Sequence, residues 1–143
     1  MKIYFVEQIL FEGVDETDGE RIEDRYPVGY FDNEASADKA MKEAALAEGN
    51  REYSKTEYDM YISPRQKWLY VLNHEYETPG GEIVYYIFSP QTSRKDCIKQ
   101  KAALATDPKY AYSKDRIYYT GKDGWYIEKH ELTRAVKRKK KTT

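Results

Sequence analysis

The sequence predicts an α+β protein built from two pseudo-symmetric ββαβ units, with a mostly antiparallel sheet packed against two helices. The 143 residues are 40% hydrophobic and 34% charged, with only 8 Gly and 5 Pro, which is typical of a folded chain and not of a low-complexity one. The 15 Tyr, 4 Phe and 2 Trp favour pleated strands. A third observation, an internal repeat, sets the architecture.

The repeat matches the first half of the chain to the second. Residues 2–12 lie over residues 67–77 at an offset of 65, and residues 30–47 lie over residues 87–105 at an offset of 57 to 58. Both helical stretches end in Ala-Ala-Leu-Ala. An offset that changes in this way indicates two copies whose loops have diverged. Because a unit of about 60 residues buries little surface, we expect the two copies to complete one core.

Each copy predicts the same elements in the same order. The opening strands alternate in hydrophobicity, and the second strand of copy one contains Pro27 and Gly29, which indicates an edge or a bulge. The second strand of copy two is apolar throughout and is expected to be central. The predicted strands and helices are residues 2–12, 25–31, 33–48 (helix) and 58–63, then residues 67–77, 83–88, 90–105 (helix), 116–120 and 125–132.

Helix caps and small residues define the two predicted helices. Asp32 is expected to cap the first helix, and Ser89, followed by Pro90, is expected to cap the second. Apolar residues recur at helical spacing and predict one buried stripe on each helix. These stripes are Ala37, Ala40, Met41, Ala44 and Ala45 in the first helix, and Cys97, Ile98, Ala102 and Ala105 in the second.

The charge distribution divides the chain into the same parts. Residues 1–64, the predicted first unit, hold 7 Lys and Arg against 16 Asp and Glu, a net charge of −9. Residues 65–143 hold 17 against 9, a net charge of +8. Much of that excess lies in residues 134–143, predicted as a flexible basic tail after a second unit of residues 65–133. Such asymmetry bears on partners and not on the fold.

The repeated pattern resembles small uncharacterised bacterial and phage ββαβ domains, here in tandem. In these domains a hydrophobic strand ends in acidic residues, and a Phe-Ser/Asp turn opens the helix. The matching residues are 3–12, Phe31, Asp32 and Ala35 in the first copy, and 68–77, Phe88, Ser89 and Thr92 in the second. The resemblance covers nearly the whole chain and implies no known activity.

The sequence contains no recognisable catalytic or metal motif, so we expect no enzyme, no cofactor and no metal. One cysteine, Cys97, and two histidines, His74 and His130, do not form a four-ligand zinc site. An EF-hand loop with Gly19 at its sixth position would place valine first and arginine twelfth, where calcium needs carboxylates. Residues 121–124 lack the glycine and Ser/Thr positions of a phosphate-binding loop.

The first functional hypothesis is a non-catalytic intracellular protein that binds another macromolecule, of bacterial or mobile-element origin. One form of it is an anti-defence, anti-CRISPR-like inhibitor that occupies the nucleic-acid channel of a host nuclease. Residues 12–25 hold seven carboxylates in fourteen positions and suit a basic partner. The predicted partner-binding residues are Asp15, Glu16, Asp18, Glu20, Glu23 and Asp24.

The alternative hypothesis is nucleic-acid binding through the basic tail, since such tails bind phosphate backbones without reading sequence. Tyrosines 110, 112, 118 and 119, if exposed, would add stacking surfaces. The predicted nucleic-acid-binding residues are Arg134, Lys137, Arg138, Lys139, Lys140 and Lys141.

Localisation and assembly are the last expectations from the sequence. The longest apolar run has six residues, residues 83–88, whereas a membrane span needs about 20. We therefore expect a cytoplasmic protein with no membrane contact. The sequence leaves the oligomeric state open, including a homodimer.

Overall fold

The computed structural model describes residues 1–14, 16–17, 19, 21–48 and 51–134. The fold is α+β, with six strands in mixed pairing and two helices, which confirms the predicted class. In chain order the elements are β1 (Lys2–Val14), β2 (Arg21–Phe31), α1 (Glu34–Glu48), β3 (Glu52–Asp59), β4 (Trp68–Glu77), β5 (Ile83–Ile87), α2 (Arg94–Leu104) and β6 (Trp125–Thr133).

The chain divides into two compact units. The first comprises the described residues of 1–63 and 131–134, and the second comprises Pro64–His130. In the first unit β1 is central and antiparallel to both β2 and β3. The end of β6 pairs in parallel with the end of β2, through Tyr30 with Leu132 and Phe31 with Thr133.

The second unit has the same strand order as the first. β4 lies between β5 and β6, just as β1 lies between β2 and β3, so the opening strand is central in both. β5 is last in the order and pairs antiparallel with β4, and its Ile83 is 56% exposed. The expectation that this apolar strand is central is therefore wrong. Hydrophobicity alone does not separate a central strand from an edge strand whose side chains pack on other aromatic residues, as Tyr86 of β5 packs on Tyr110.

Helix α1 packs one face against strands β1 and β2 through small side chains. Ala37 is fully buried against Val6 and Phe31, and Ala40 and Met41 pack at the margin of this cluster. This part of the predicted stripe is confirmed. Because the alanines have short side chains, the helix backbone can approach the aromatic residues on the strands.

Both helices begin at other caps than predicted. The Asn33 side chain accepts a hydrogen bond from the Ser36 backbone at 2.8 Å, and Ser93 accepts one from Asp96 at 3.2 Å. Ser89 lies too early in the chain to cap α2, because Gln91, two residues later, is still extended and exchanges two backbone hydrogen bonds with Tyr70. Short polar side chains occur at each candidate position, so the sequence alone does not decide which one caps.

The later start of α2 changes its buried stripe. Cys97 is fully buried with Leu72 and Trp125, but Ile98 is 58% exposed, and Ala102 and Ala105 are also exposed. The prediction for these three residues is wrong. Cys97 occupies the fourth position after its cap, as Ala37 does, so it corresponds to Ala37. The offset of 57 from the sequence repeat matches Cys97 to Ala40, and that match is wrong.

The opening strands correspond at an offset of 66, not 65. Tyr4 and Val6 of β1 contact the cluster under α1, and Tyr70 and Leu72 of β4 contact the cluster under α2. An offset of 65 would place Val6 over Val71, on the opposite face of the strand. Because strand side chains alternate, a slip of one residue exchanges the two faces.

Two strand predictions are also wrong, namely the closing strand of the first unit and the strand at residues 116–120, whereas the predicted bulge in β2 is confirmed. The closing strand of the first unit is β3, several residues earlier than residues 58–63, and no described residue between 105 and 124 belongs to a strand. There, Ile117 makes only an isolated bridge with Glu77. The predicted bulge at Pro27 is present, because the β1–β2 register passes from Gly29 to Pro27 and skips one residue.

Candidate functional site

The β1–β2 pair extends beyond the third strand as a two-stranded ribbon. Pairing of β1 with β3 ends at Ile9, whereas pairing of β1 with β2 continues to Val14. We call residues 10–14 and 21–24 the acidic ribbon. Phe11 is 51% exposed there and Val14 is 55% exposed. Exposed apolar side chains beside carboxylates are a combination that suits a protein interface.

Two carboxyl groups of the acidic ribbon face each other. The pKa of Glu12 is raised, first because its carboxyl hydrogen-bonds to that of Asp24 and also because the two charges repel. Glu12 lies at a shift in the register between Phe11 and Gly13. A bulge of this kind redirects a side chain, and here it brings like charges together. Like charges held together are a feature of binding sites, where a cationic partner relieves the repulsion.

Glu23, in contrast, is neutralised within the chain. Arg25 lies with Nη2 at 2.8 Å from a Glu23 carboxylate oxygen and Nη1 at 3.5 Å from Glu7. Glu7 is buried, and burial raises its pKa while the Arg25 charge lowers it. Of the predicted partner-binding residues, Asp24 and the exposed Glu16 are therefore better placed than Glu23 to meet a basic partner. Asp15, Asp18 and Glu20 lie outside the described residues.

Arg134, the first residue of the predicted basic tail, is part of the folded first unit. Its Nη2 donates a hydrogen bond to the Ser63 carbonyl at 2.7 Å, and its side chain is half-buried. Lys137, Arg138, Lys139, Lys140 and Lys141 lie outside the described residues.

The four tyrosines proposed as stacking surfaces separate into two pairs. Tyr110 and Tyr118 are half-buried and pack near His74. Tyr112 and Tyr119 are each 66% exposed; Tyr112 stacks on Tyr118 with ring centroids 5.4 Å apart. Tyr119 donates a hydrogen bond to a Glu77 carboxylate oxygen at 2.7 Å. Two of the four rings are therefore structural.

A basic cavity that the sequence analysis missed lies at the start of β4 and the N-terminus of α2. Its volume is about 490 Å³. The indole of Trp68 is 40% exposed on its wall, and the Lys129 ammonium lies 4.3 Å from that ring centroid. Its lining residues include Arg65, Lys67, Trp68, Tyr70, Ser93 and Arg94. The cations come from segments nearly thirty residues apart, so only the fold assembles them.

The two histidines do not form a shared site with a metal-ligand set. Both ring nitrogens of His74 are buried and have no hydrogen-bond partner among the described residues. His130 lies with Nε2 at 3.6 Å from a Glu128 carboxylate oxygen. Across residues 1–134, where they are described, no group of three His, Cys, Asp or Glu side chains is arranged to hold a metal ion.

Comparison with protein-family models, curated proteins and solved structures finds no match for the chain. Within the described part of the chain, neither helix has the length and apolar character that crossing a bilayer requires.

Proposed function

We propose that this chain is a non-catalytic protein that binds a basic macromolecular surface through the acidic ribbon. The observation that carries the proposal is the pair of facing carboxyls, Glu12 and Asp24, on the part of β1 and β2 beyond the end of the β1–β3 pairing. A basic side chain placed between them would remove the repulsion and gain two charge-assisted hydrogen bonds. Phe11 and Val14 would supply the apolar contact area.

One partner with a suitable basic surface would be a nuclease, whose nucleic-acid channel is positively charged. This chain would inhibit the nuclease by placing its carboxylates where the phosphates of the nucleic acid otherwise bind. Bacterial or mobile-element origin and an intracellular location belong to the same proposal. A complementary charged surface acts mainly on the association rate and on specificity.

The test compares a ribbon variant with a matched control in the same unit. Glu12→Gln/Asp24→Asn removes the facing pair, and Glu34→Gln/Glu43→Gln removes two exposed carboxylates of α1. A partner is isolated by cross-linking in the source cells and purified, and its Kd is measured by calorimetry at two salt concentrations. We expect about a tenfold loss of affinity for the ribbon variant and less than about twofold for the control. Equal affinities for the two variants would contradict the proposal.

We also infer that the two units descend from one duplicated ββαβ unit, and that a mostly antiparallel sheet follows from this origin. The shared strand order, the caps Asn33 and Ser93, and the matching positions of Ala37 and Cys97 support the inference. Exchange of the matched residues tests it. Ala37→Cys and Cys97→Ala should each cost about 1 kcal/mol or less, because both sites hold one small side chain. Unfolding of the chain by Ala37→Cys would count against equivalence.

A second candidate function is nucleic-acid binding, and the basic cavity favours it. Three cationic side chains around an exposed indole combine phosphate contacts with a stacking surface. The variant Lys67→Glu/Arg94→Glu tests the cavity, and Lys95→Glu/Lys99→Glu on the exposed face of α2 is the control. Truncation after Arg134, which keeps the hydrogen bond from Arg134 to Ser63, tests the tail. Binding of a fluorescent single-stranded oligonucleotide is followed against salt.

If the cavity binds phosphates, its double variant should lower the slope of log affinity against log salt by about 1.4, from about 0.7 per phosphate contact. The control variant should leave the slope unchanged. Equal slopes for the intact, truncated and cavity-variant chains would exclude this second function.

A further inference from the structure

His74 is a buried polar residue that the proposed functions do not use. It lies on β4, is fully buried, and faces α2's side of the strand. Neither Nδ1 nor Nε2 has a hydrogen-bond partner among the residues the structure describes. Buried polar atoms are nearly always paired, so an unpaired imidazole needs a physical explanation.

Aromatic rings surround the imidazole on several sides. The ring of Trp125 is closest, with centroids 4.2 Å apart. The four tyrosine rings lie between 5.6 and 6.4 Å away, centroid to centroid. We call this set the His74 cluster: His74, Tyr76, Tyr86, Tyr110, Tyr118 and Trp125. A neutral imidazole packs in such a site as an aromatic ring and can direct its N–H at a ring face.

Half of the tyrosines come from a segment without regular structure. Residues 105–124, which we call the strap, contribute Tyr110 and Tyr118 to the cluster. Backbone hydrogen bonds fix the strap to β4, two between Ile117 and Glu77 and one from Glu75 to the Gly124 carbonyl at 3.0 Å. Side-chain contacts add to these bonds: Tyr119 hydrogen-bonds to Glu77 of β4, and the rings of Tyr110 and Tyr118 both contact His74. Loss of the two His74 contacts would therefore weaken the attachment of the strap.

The cations near the His74 cluster, Arg116 and Lys101, oppose protonation of His74. Burial lowers the pKa of His74 most, and the Arg116 charge on the strap lowers it further, as does Lys101 of α2. The Asp123 charge raises the pKa of His74, and so does the Gly124 backbone, which lies near the ring but does not meet hydrogen-bond geometry with either nitrogen. However, Asp123 lies 3.7 Å from the Lys101 ammonium, so its charge is already shared.

Three of the five aromatic rings around the imidazole, those of Tyr76, Tyr86 and Tyr110, already lie next to other cations. The Arg116 guanidinium carbon lies 3.9 Å from the Tyr76 ring centroid. The Lys109 ammonium lies 5.0 Å from that of Tyr86 and 5.6 Å from that of Tyr110. Tyr86 is neutral, since burial raises its pKa to about 12, so it offers no counter-charge.

We propose that His74 is an acid-sensitive latch, in which protonation of the imidazole opens the His74 cluster and releases the strap from β4. The opened state hydrates the cation and separates it from Arg116. Because the folded state binds this proton less readily than the open state does, closure is favoured above about pH 6.5 and weakens as the pH falls below it. For one histidine, the opening equilibrium at pH 5.5 can rise by up to about tenfold.

Hydrogen exchange of the intact chain at pH 7.5 and pH 5.5, corrected for intrinsic exchange rates, tests the latch. In the unmodified protein we expect opening of strap peptides to increase at pH 5.5 by up to about tenfold. The increase should disappear in His74→Phe, which keeps an aromatic ring, and should persist in His130→Gln, which removes the other histidine. An equal increase in His74→Phe, or no increase in the unmodified protein, would overturn the proposal.

A second measurement decides the matter if His74→Phe does not fold. The imidazole resonances of the unmodified protein are titrated by NMR and assigned with His130→Gln. A His74 midpoint below pH 6.5, with parallel shifts in strap resonances, supports the latch. A midpoint at or above pH 6.5 overturns it.

Discussion

The carboxyl of Glu12 hydrogen-bonds to the carboxyl of Asp24 across the acidic ribbon, and this contact raises the pKa of Glu12. Ionisation of Glu12 beside the Asp24 carboxylate places two like charges together, and this repulsion contributes to the raised pKa of Glu12. A cationic group of a partner placed between the two carboxyls would remove the repulsion, which is why the proposed binding surface is centred on this pair.

The first prediction follows from this repulsion. Glu12→Gln should raise the Tm at pH 7.5, because it removes the repulsion while keeping a hydrogen-bonding side chain. A carboxyl whose pKa is raised on folding destabilises the folded state when it is ionised, so the gain should shrink as the pH falls toward 4.5 and Glu12 becomes protonated. Differential scanning fluorimetry at both pH values measures it. Glu43→Gln, which removes a carboxylate 3.8 Å from Lys39, should not raise the Tm.

The second prediction concerns the ion pairs of Arg25. Arg25→Met leaves the buried Glu7 carboxylate without its cation and should cost about 1–2 kcal/mol, less than a fully buried pair because the Arg25 side chain is 42% exposed. Glu7→Gln in the same chain should recover much of that loss, since no charge then remains buried. Urea unfolding of the single and double variants gives the coupling free energy. Additive effects would show that the two residues do not interact.

The sequence predicted the fold class and, apart from the strand expected at residues 116–120, the order of elements, because composition, repeat and periodicity report on local structure. It did not place the helix caps or the strand register. Asp32, Asn33, Ser89 and Ser93 are all acceptable caps, and the backbone path around Gln91 decides between the last two. Offsets of 65 and 66 residues both align similar residue types in β1 and β4. Only the strand face that packs against the helix shows which of the two alignments is correct.

The sequence likewise predicted only the part of the candidate site that is local in the chain. The acidic ribbon is continuous in sequence, so its charge was visible, but the neutralisation of Glu23 by Arg25 and the repulsion between Glu12 and Asp24 depend on cross-strand pairing. The basic cavity and the His74 cluster collect residues from separate segments. Neither has a local signal in the sequence.

The third prediction compares two glycines of the strap. Gly124 has φ of 79°, and a Cβ at this position would collide with the Glu75 carbonyl and the ring of Tyr118. Gly121 has φ of 64°, but a Cβ there would lie 3.6 Å from the Trp125 carbonyl, at ordinary contact distance. We expect Gly124→Ala to cost about 3 kcal/mol or more and Gly121→Ala about 1 kcal/mol, from backbone strain alone. Denaturant unfolding monitored by Trp fluorescence measures both, and similar losses would contradict this packing of the strap.

The last prediction concerns the reactivity of Cys97. The thiol is fully buried, its Sγ donates a hydrogen bond to the Tyr70 carbonyl at 3.3 Å, and burial raises the pKa of Cys97 to about 11. Because the thiolate is the reactive form, a thiol reagent at pH 8 should label the folded protein far more slowly than the protein in denaturant. The labelling rate should follow the opening of the cluster that holds Leu72 and Trp125 around the thiol, so Leu72→Ala should accelerate it while Ile98→Ala, on the exposed face of the same helix, should not. Fast labelling of the unmodified folded chain would mean that Cys97 is not buried against Leu72 and Trp125.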